Sequence, residues 1–85
     1  MNYYVYLLVS KHKKRLVSYV GYTNNLTRRL ILHNSSKGAK FTRGKKWSIA
    51  YKKMYKTKSI AMKEEFNLKN DQKKRRLIKS RILLK

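Results

Sequence analysis

The sequence contains no cysteine, no proline and only three acidic residues among its 85 positions. Without cysteine the chain cannot form disulfides, thiolate zinc sites or a thiol nucleophile, which suits a reducing compartment. Without proline it has no obvious linker between domains, and its length suits one domain with a modest core. We therefore expect residues 1–85 to form a single domain.

Long apolar segments are also absent, since the longest run, Tyr3–Val9, is far too short to span a bilayer. A secretory signal has basic residues before its apolar core, whereas here the basic cluster follows the run. Binding to a membrane surface would need one amphipathic helix, but the positive charge is spread over the whole length. These patterns predict an intracellular, cytoplasmic protein without membrane attachment.

Positive charge dominates the composition. The chain has 24 Lys and Arg against three acids, which gives a formal net charge of +21 at pH 7. Such a charge destabilises a small folded chain unless a polyanion supplies the missing negative charge. Nucleic acid is therefore the expected partner, and we expect most of the cations to contact phosphates without reading bases.

The three carboxylates, Glu64, Glu65 and Asp71, lie within one short segment, and any acid or metal chemistry must use it. On a helix, Glu65 would share a face with Ala61 and Leu68, whereas Glu64 would lie about a quarter-turn away and face solvent. Glu65 is therefore the candidate for a placed acid. The alternative is that the glutamates pair with lysines one turn away and improve solubility.

Three segments rich in aromatic and β-branched residues predict strands over Tyr3–Ser10, Val17–Tyr22 and Trp47–Met54. The first segment is apolar enough to be buried on both faces. An exposed basic turn, Lys11–Arg15, joins the first two strands into an antiparallel hairpin. Gly21 interrupts the second strand and indicates a bulge, or the close approach of another backbone or a ligand.

Three helices complete the predicted order, which is strand, strand, helix, strand, helix, helix. The first helix follows N-cap candidates at positions 23–25 and ends at about His33. Ser59 is the expected cap of the second helix, and a very basic third helix follows a break at Asn70 and Asp71. The expected apolar positions are Leu26, Leu30 and Ile31 in the first helix, Ala61, Met62 and Leu68 in the second, and Leu77, Ile78 and Ile82 in the third.

Arg29 and His33 lie one turn apart on the first helix, at the rim of its apolar side. Polar groups there can be held rigidly, but position alone also allows a surface arginine and a solvated histidine. Among the tyrosines, Tyr6 and Tyr19 lie in the predicted hairpin, where a buried core position is the default. A tyrosine beside many cations can also have its phenolate favoured and so serve as a general base.

Five short blocks follow one another along the chain: Tyr4–Tyr6, Tyr19–Gly21, Thr23–Asn34, Lys37–Gly44 and Ala61–Lys69. They contain all three glycines and span most of the length. A tyrosine triplet alone would be weak evidence. The ordered set resembles the GIY-YIG nucleases, in particular their small single-domain branch of UPF0213-like and structure-specific endonuclease-like proteins.

The resemblance implies an α+β fold in which a small three-stranded sheet is flanked by helices and bears a phosphodiester-cleaving site. It implies a metal-dependent endonuclease with Mg²⁺ or Mn²⁺ as cofactor and DNA, with branched or nicked forms as candidates, as substrate. A homodimer or a protein partner is a further expectation, because a single site that cuts one strand needs a second copy to cut both. The alternative is a basic nucleic-acid-binding module of the same fold that does not cleave.

Position by position, the resemblance makes Tyr6, Tyr19, Arg29 and His33 catalytic and Glu65 the metal ligand. Tyr19 is the expected general base, Tyr6 would orient water or base, and His33 would carry a proton. Arg29 would stabilise the transition state, and one glutamate suffices for Mg²⁺ when waters and substrate phosphates complete its shell. The expected nucleic-acid contacts are Lys37, Lys40, Arg43, Lys45 and Lys69.

Two further interpretations explain less. A ribosome-associated or general RNA-binding protein would account for the charge but not for the ordered blocks. An HNH nuclease would need a second histidine near the metal, and His12 is expected in a loop with no carboxylate beside it. Tyr22 stands where some relatives have a lysine, so the cation that would activate Tyr19 stays open.

Overall fold

The computed structural model describes residues 2–83, without the side chains of residues 12 and 83. Three strands and three helices follow the order and the α+β class that the sequence predicts. They are β1 (Tyr3–His12), β2 (Arg15–Thr23), α1 (Leu26–Asn34), β3 (Ser48–Tyr55), α2 (Lys58–Asn70) and α3 (Gln72–Leu83). One turn of 3₁₀ helix, Lys40–Thr42, lies between α1 and β3. None of the helices described is long and apolar enough to cross a membrane.

β1 is the central strand of a three-stranded antiparallel sheet with the order β2-β1-β3. Residues 5–10 of this strand are all buried. A strand with a neighbour on each side and helices on both faces needs an apolar side chain at nearly every position, as the sequence indicates. The prediction that β1 is buried on both faces is confirmed.

The hairpin is longer than predicted. β1 and β2 pair as far as His12 and Arg15, so the connection is Lys13 and Lys14, and Lys13 has a φ of 57°. The prediction of a turn over Lys11–Arg15, with His12 in a loop, was therefore wrong. Backbone pairing continues through exposed basic residues because it does not depend on apolar side chains.

The sheet separates two cores. On one face α2 and α3 cover alternate residues of β1 and β2, and on the other face α1 and the segment before β3 do so. The first core contains Val5, Leu7, Val9, Val20, Ala61, Leu68 and Ile78. The second contains Tyr6, Leu8 and Trp47, with Leu26 and Leu30 of α1 packed against it.

Three positions predicted to be apolar contacts are exposed instead: Ile31, Met62 and Leu77. Each helix packs a narrow stripe against the sheet, and a residue next to that stripe turns to solvent. Ile31 illustrates this, because its neighbour Leu30 packs on the second core. These three predictions were wrong, although the helices themselves are where the sequence places them.

Side-chain caps start α1 and α2. Asn25 accepts a hydrogen bond from the backbone N–H of Arg28 at 3.1 Å, in agreement with the candidates at 23–25. α2 is capped by Thr57, whose hydroxyl accepts from the backbone N–H of Ile60 at 3.2 Å. The prediction of Ser59 as the cap was wrong, because Ser59 lies within the first turn and Thr57 has the extended backbone that a cap requires.

We expect Thr57→Ala to lower the free energy of unfolding by about 1 kcal/mol, because it removes the N-cap hydrogen bond of α2. Ser59→Ala is the matched control and should change that free energy by only a few tenths of a kcal/mol. Urea unfolding followed by circular dichroism measures both. A loss in Ser59→Ala equal to that in Thr57→Ala would contradict the assignment of the cap.

Candidate active site

His33 is fully buried between two hydroxyl groups. Its Nε2 lies 3.0 Å from the Tyr6 hydroxyl, and its Nδ1 lies 2.9 Å from Oγ1 of Thr42. The Thr42 hydroxyl donates its one proton to the carbonyl of Ala39 at 2.7 Å. Thr42 must then accept from Nδ1–H of His33, so the unprotonated Nε2 accepts the proton of Tyr6. The direction of every hydrogen bond from Tyr6 to Ala39 follows from this arrangement.

Both titratable groups of this chain of hydrogen bonds favour their neutral forms. Burial lowers the pKa of His33, and the nearby Arg29 guanidinium lowers it further. Burial raises the pKa of the Tyr6 hydroxyl, although Arg29 partly opposes that shift. Tyr6 therefore keeps its proton in the free protein and donates it inward to His33.

Helical periodicity predicts His33 at the rim of α1 and does not indicate Thr42. The structure places His33 in the interior instead, since Thr42 supplies a second hydrogen-bond partner from the turn after α1. A buried imidazole needs partners for both nitrogens. The signal in the sequence was the one hydroxyl residue of the Lys37–Gly44 block, Thr42, which could have been recognised as a hydrogen-bond partner for a buried His33.

Two glycines make room for the Tyr6–His33 pair. Gly21 lies opposite Tyr6 in the β1–β2 register, and a Cβ atom there would overlap the Tyr6 hydroxyl. A Cβ atom at Gly38 would overlap the imidazole of His33. A close neighbour at Gly21 is therefore present, as predicted, but it is a side chain and not a backbone or a ligand. The strand pairing continues through Gly21 without a bulge.

Tyr6, Tyr19, Arg29 and Glu65 line one open cleft of about 400 Å³. They come from β1, β2, α1 and α2, so four separate elements converge where β2 runs into α1. His33 does not line the cleft and lies behind Tyr6. The other lining residues are Tyr3, Gly21, Tyr22, Thr23, Asn24 and Lys58.

Tyr19 is half-buried and stands among aromatic rings. Its ring centroid lies 5.1 Å from that of His33, and its ring stacks on that of Phe41 at 6.3 Å with an angle of 20° between the planes. Trp47 closes this group, with its ring centroid 6.5 Å from that of Tyr19. These contacts fix the orientation of the Tyr19 ring at the wall of the cleft.

Arg29 has a buried nitrogen that lacks a partner. Its Nε has no hydrogen-bond acceptor within residues 2–83. Leaving a buried donor unsatisfied costs on the order of 1–3 kcal/mol. An anion bound in the cleft would supply the missing acceptor, so Arg29 is the candidate anion-binding group of this site.

Glu65 has a side chain that is 18% exposed, and its Oε1 lies 3.4 Å from Nζ of Lys69. Lys69, expected to contact nucleic acid, therefore pairs with the expected metal ligand. Across residues 2–83, no three His, Cys, Asp or Glu side chains gather into a metal-binding group. One hard carboxylate oxygen donor in an open cleft fits a Mg²⁺ or Mn²⁺ ion whose remaining ligands are waters and substrate oxygens.

Glu64 lies about a quarter-turn from Glu65 on α2. It is half-buried in a hollow with Tyr51, Tyr55 and Asp71, so the expectation that it faces solvent was wrong. Burial raises the pKa of Tyr55, and the charge of Glu64 raises it further. α2 lies along the sheet such that Glu65 is directed towards β2 and Glu64 towards β3.

The basic residues between α1 and β3 lie on the segment that carries Phe41. Lys37, Lys40 and Arg43 are exposed, and Lys45 is half-buried. Nζ of Lys45 lies 5.1 Å from the ring centroid of Phe41 and donates to the carbonyl of the same residue at 3.3 Å. Phe41 contacts Tyr19, which lines the cleft, so Lys45 is connected to the cleft through these two rings.

Comparisons with known proteins agree with this architecture. The model of the GIY-YIG catalytic domain matches residues 2–79. A UPF0213 protein of Oceanobacillus iheyensis is 44% identical over 69 residues, which cover 80% of this chain and 77% of the relative. A UPF0213 protein of Bacillus pumilus is 38% identical over 76 residues, which cover 88% and 74%. The solution NMR structure of a UPF0213 protein from Bacillus halodurans aligns with 93% of this chain and 84% of its own, with a TM-score of 0.52 and 36% identity.

We expect the unfolding temperature to fall as the pH drops below 6.5, the ordinary pKa of histidine. In the unfolded chain His33 takes up a proton in this range, whereas in the folded chain its lowered pKa keeps it neutral. The unfolded state then binds more protons and is favoured as the pH falls. Tyrosine and arginine side chains do not titrate in this range. Scanning calorimetry from about pH 7.5 to about pH 5.5 measures the effect.

Two histidine variants separate the sources of that pH dependence. His33→Gln should be less stable than the parent at every pH but should show a flatter response to acid. His12→Gln removes the other histidine of the chain and should keep the full response. Loss of the response in His12→Gln would contradict the role given to His33.

Proposed function

This chain belongs to the GIY-YIG catalytic-domain family, and from that premise we propose that it is a metal-dependent endonuclease that hydrolyses DNA phosphodiester bonds. The observation that carries the proposal is the convergence of Tyr6, Tyr19, Arg29 and Glu65 on one cleft. A protein that bound nucleic acid through charge alone would not need a placed acid, a placed arginine and two tyrosines at one point. The fold by itself would not decide this, because related folds serve many functions.

The two tyrosines have different tasks in this proposal. Tyr6 donates its proton to His33 and has a raised pKa, so it stays protonated and uses its oxygen to orient the attacking water. Tyr19 is the general base and takes the proton from that water on its phenolate oxygen. His33 holds Tyr6 in place and is a positioning residue, since it lies behind Tyr6 and does not reach the cleft.

Arg29 binds the scissile phosphate. Its unpartnered Nε donates to a phosphate oxygen, and its fixed positive charge stabilises the additional negative charge of the transition state. Glu65 would hold the divalent cation, Mg²⁺ or Mn²⁺, which when bound offsets charge on the phosphate and on the leaving oxygen. A different side chain therefore acts on each reacting group: Tyr19 on the water, Arg29 on the phosphate and Glu65, through the cation it would hold, on the leaving oxygen.

DNA binding in this proposal rests on sequence-independent contacts with phosphates. We expect Lys37, Lys40, Arg43 and Lys45 to make these contacts, together with Lys69, which pairs with Glu65. The domain acts inside the cell, and branched or nicked DNA is a candidate substrate. A cut through both strands would use a second copy of the chain or a protein partner, because one cleft serves one strand.

A nucleic-acid-binding module of the same fold that does not cleave is the second candidate function. The observation that favours it is the ion pair between Glu65 and Lys69. That pair places a positive charge at the carboxylate that a divalent cation would need. The lysine of this pair is half exposed, so the pair is weak, and a divalent cation can displace it.

Glu65→Gln should reduce cleavage by at least about 100-fold, because it removes the proposed cation ligand. It should leave the affinity for DNA unchanged or slightly higher, since it also removes a negative charge. Nicking of supercoiled plasmid and of a branched DNA at low salt measures cleavage, with Mg²⁺, with Mn²⁺ and with a chelator. Fluorescence anisotropy measures affinity.

Glu64→Gln is the matched control. It makes the same change of charge one position away, in the hollow with Tyr51 and Tyr55, and should keep its activity. Comparable loss in both variants would show that the acid was misassigned, and full activity of Glu65→Gln would contradict the metal site. Tight binding by the parent protein without metal-dependent cleavage would favour the binding module.

A further inference from the structure

Phe41 is an exposed aromatic ring that stacks on Tyr19, one of the residues that line the cleft. It is 54% exposed and lies in the 3₁₀ turn Lys40–Thr42. Its ring stacks on that of Tyr19, and its centroid lies 6.2 Å from that of Trp47. About half of an apolar ring is thus open to solvent beside a group that lines the proposed reaction site.

The turn that carries this ring is held firmly. Thr42, the next residue, is fully buried and accepts a hydrogen bond from His33. The indole Nε1 of Trp47 donates to the carbonyl of Thr42 at 2.9 Å. Phe41 is therefore presented at a fixed place relative to Tyr19, and a ligand that stacks on it does not need to order a flexible loop first.

The surroundings of the ring are cationic. Lys40 directly precedes Phe41 in the sequence, and Arg43 follows two residues after it; both are exposed. The ammonium group of Lys45 lies 5.1 Å from the ring centroid. A partner that matches this surface carries negative charge and a flat π face together, and a nucleotide has both.

We propose that Phe41 is a stacking platform for an unpaired nucleobase of the strand whose phosphate lies at Tyr19 and Arg29. A base within a continuous duplex is stacked on both sides and cannot offer its face to a protein ring. The substrate class is therefore a strand with at least one unpaired base, such as a flap, a gap or a single-stranded segment. Every base has a π face, so the platform accepts any sequence.

Lys45 supports the same nucleotide. Its long side chain contacts the Phe41 ring in the free protein and can move to a phosphate when a base covers that ring. This inference rests on the nucleic-acid binding of the proposed function but not on its cleavage step. It can therefore be tested by binding alone, in the presence of a chelator.

The test measures equilibrium binding to a single-stranded oligonucleotide that carries one 2-aminopurine, beside a fully paired duplex of the same sequence. Stacking on the protein ring should quench the fluorescence of 2-aminopurine. We expect Phe41→Ala to weaken binding to the single strand by roughly 5- to 150-fold and to lose the quenching. It should change the affinity for duplex by less than about twofold, since phosphate contacts dominate there.

Three variants make the result specific. Phe41→Tyr keeps an aromatic face and should keep both the affinity and the quenching. Phe66→Ala removes the other phenylalanine of the chain, which is 66% exposed on α2, and should change neither. Arg43→Gln removes a phosphate contact and should weaken single-strand and duplex binding alike.

Several results would overturn the inference. Unchanged single-strand affinity with unchanged quenching in Phe41→Ala would do so, and so would an equal loss of affinity for both forms of DNA. If that variant altered only self-association, measured by sedimentation, the ring would belong to a protein interface. If the parent protein quenches 2-aminopurine on binding but never cleaves DNA, the proposed function is contradicted and this inference stands. If the parent protein does not bind DNA at all, both are contradicted.

Discussion

The hydrogen bonds that join Tyr6, His33 and Thr42 are the constraint on which the cleft depends. They connect β1, α1 and the turn before β3, and an imidazole buried without these partners would be costly. Those elements must therefore meet in one arrangement, for which Gly21 and Gly38 leave the space. The placement of the Tyr19 and Phe41 rings, which pack around the same histidine and turn, follows from it.

The fold could be predicted from the sequence where one pattern dominates. β1 is apolar throughout because it is the middle strand of the sheet, and no other place in a small domain suits such a segment. The hairpin turn could not be predicted in detail, because Lys13 and Lys14 carry none of the usual turn signals. Thr57 and Ser59 are both good cap residues, and the choice between them depends on where α2 first meets the sheet.

The sequence identified most residues of the candidate site but not how they are arranged in space. The family resemblance pointed to Tyr6, Tyr19, Arg29 and Glu65, but helical periodicity alone would have left Arg29 on the surface. The burial of His33 depends on a partner nine residues later in an irregular turn, and no local pattern reports such a contact. Glu64 was misjudged because α2 packs along the sheet, where neighbouring positions of the helix face different strands.

The alternation of β1 between the two cores also limits how the chain can evolve. Odd-numbered residues such as Val5 and Leu7 belong to the core under α2 and α3, whereas Tyr6 and Leu8 belong to the core under α1. Inserting or deleting one residue within β1 would exchange the two sets, since side chains alternate with a period of two. Descendants of this chain can thus vary β1 by substitution but not by length, whereas the Lys13–Lys14 turn can accept insertions.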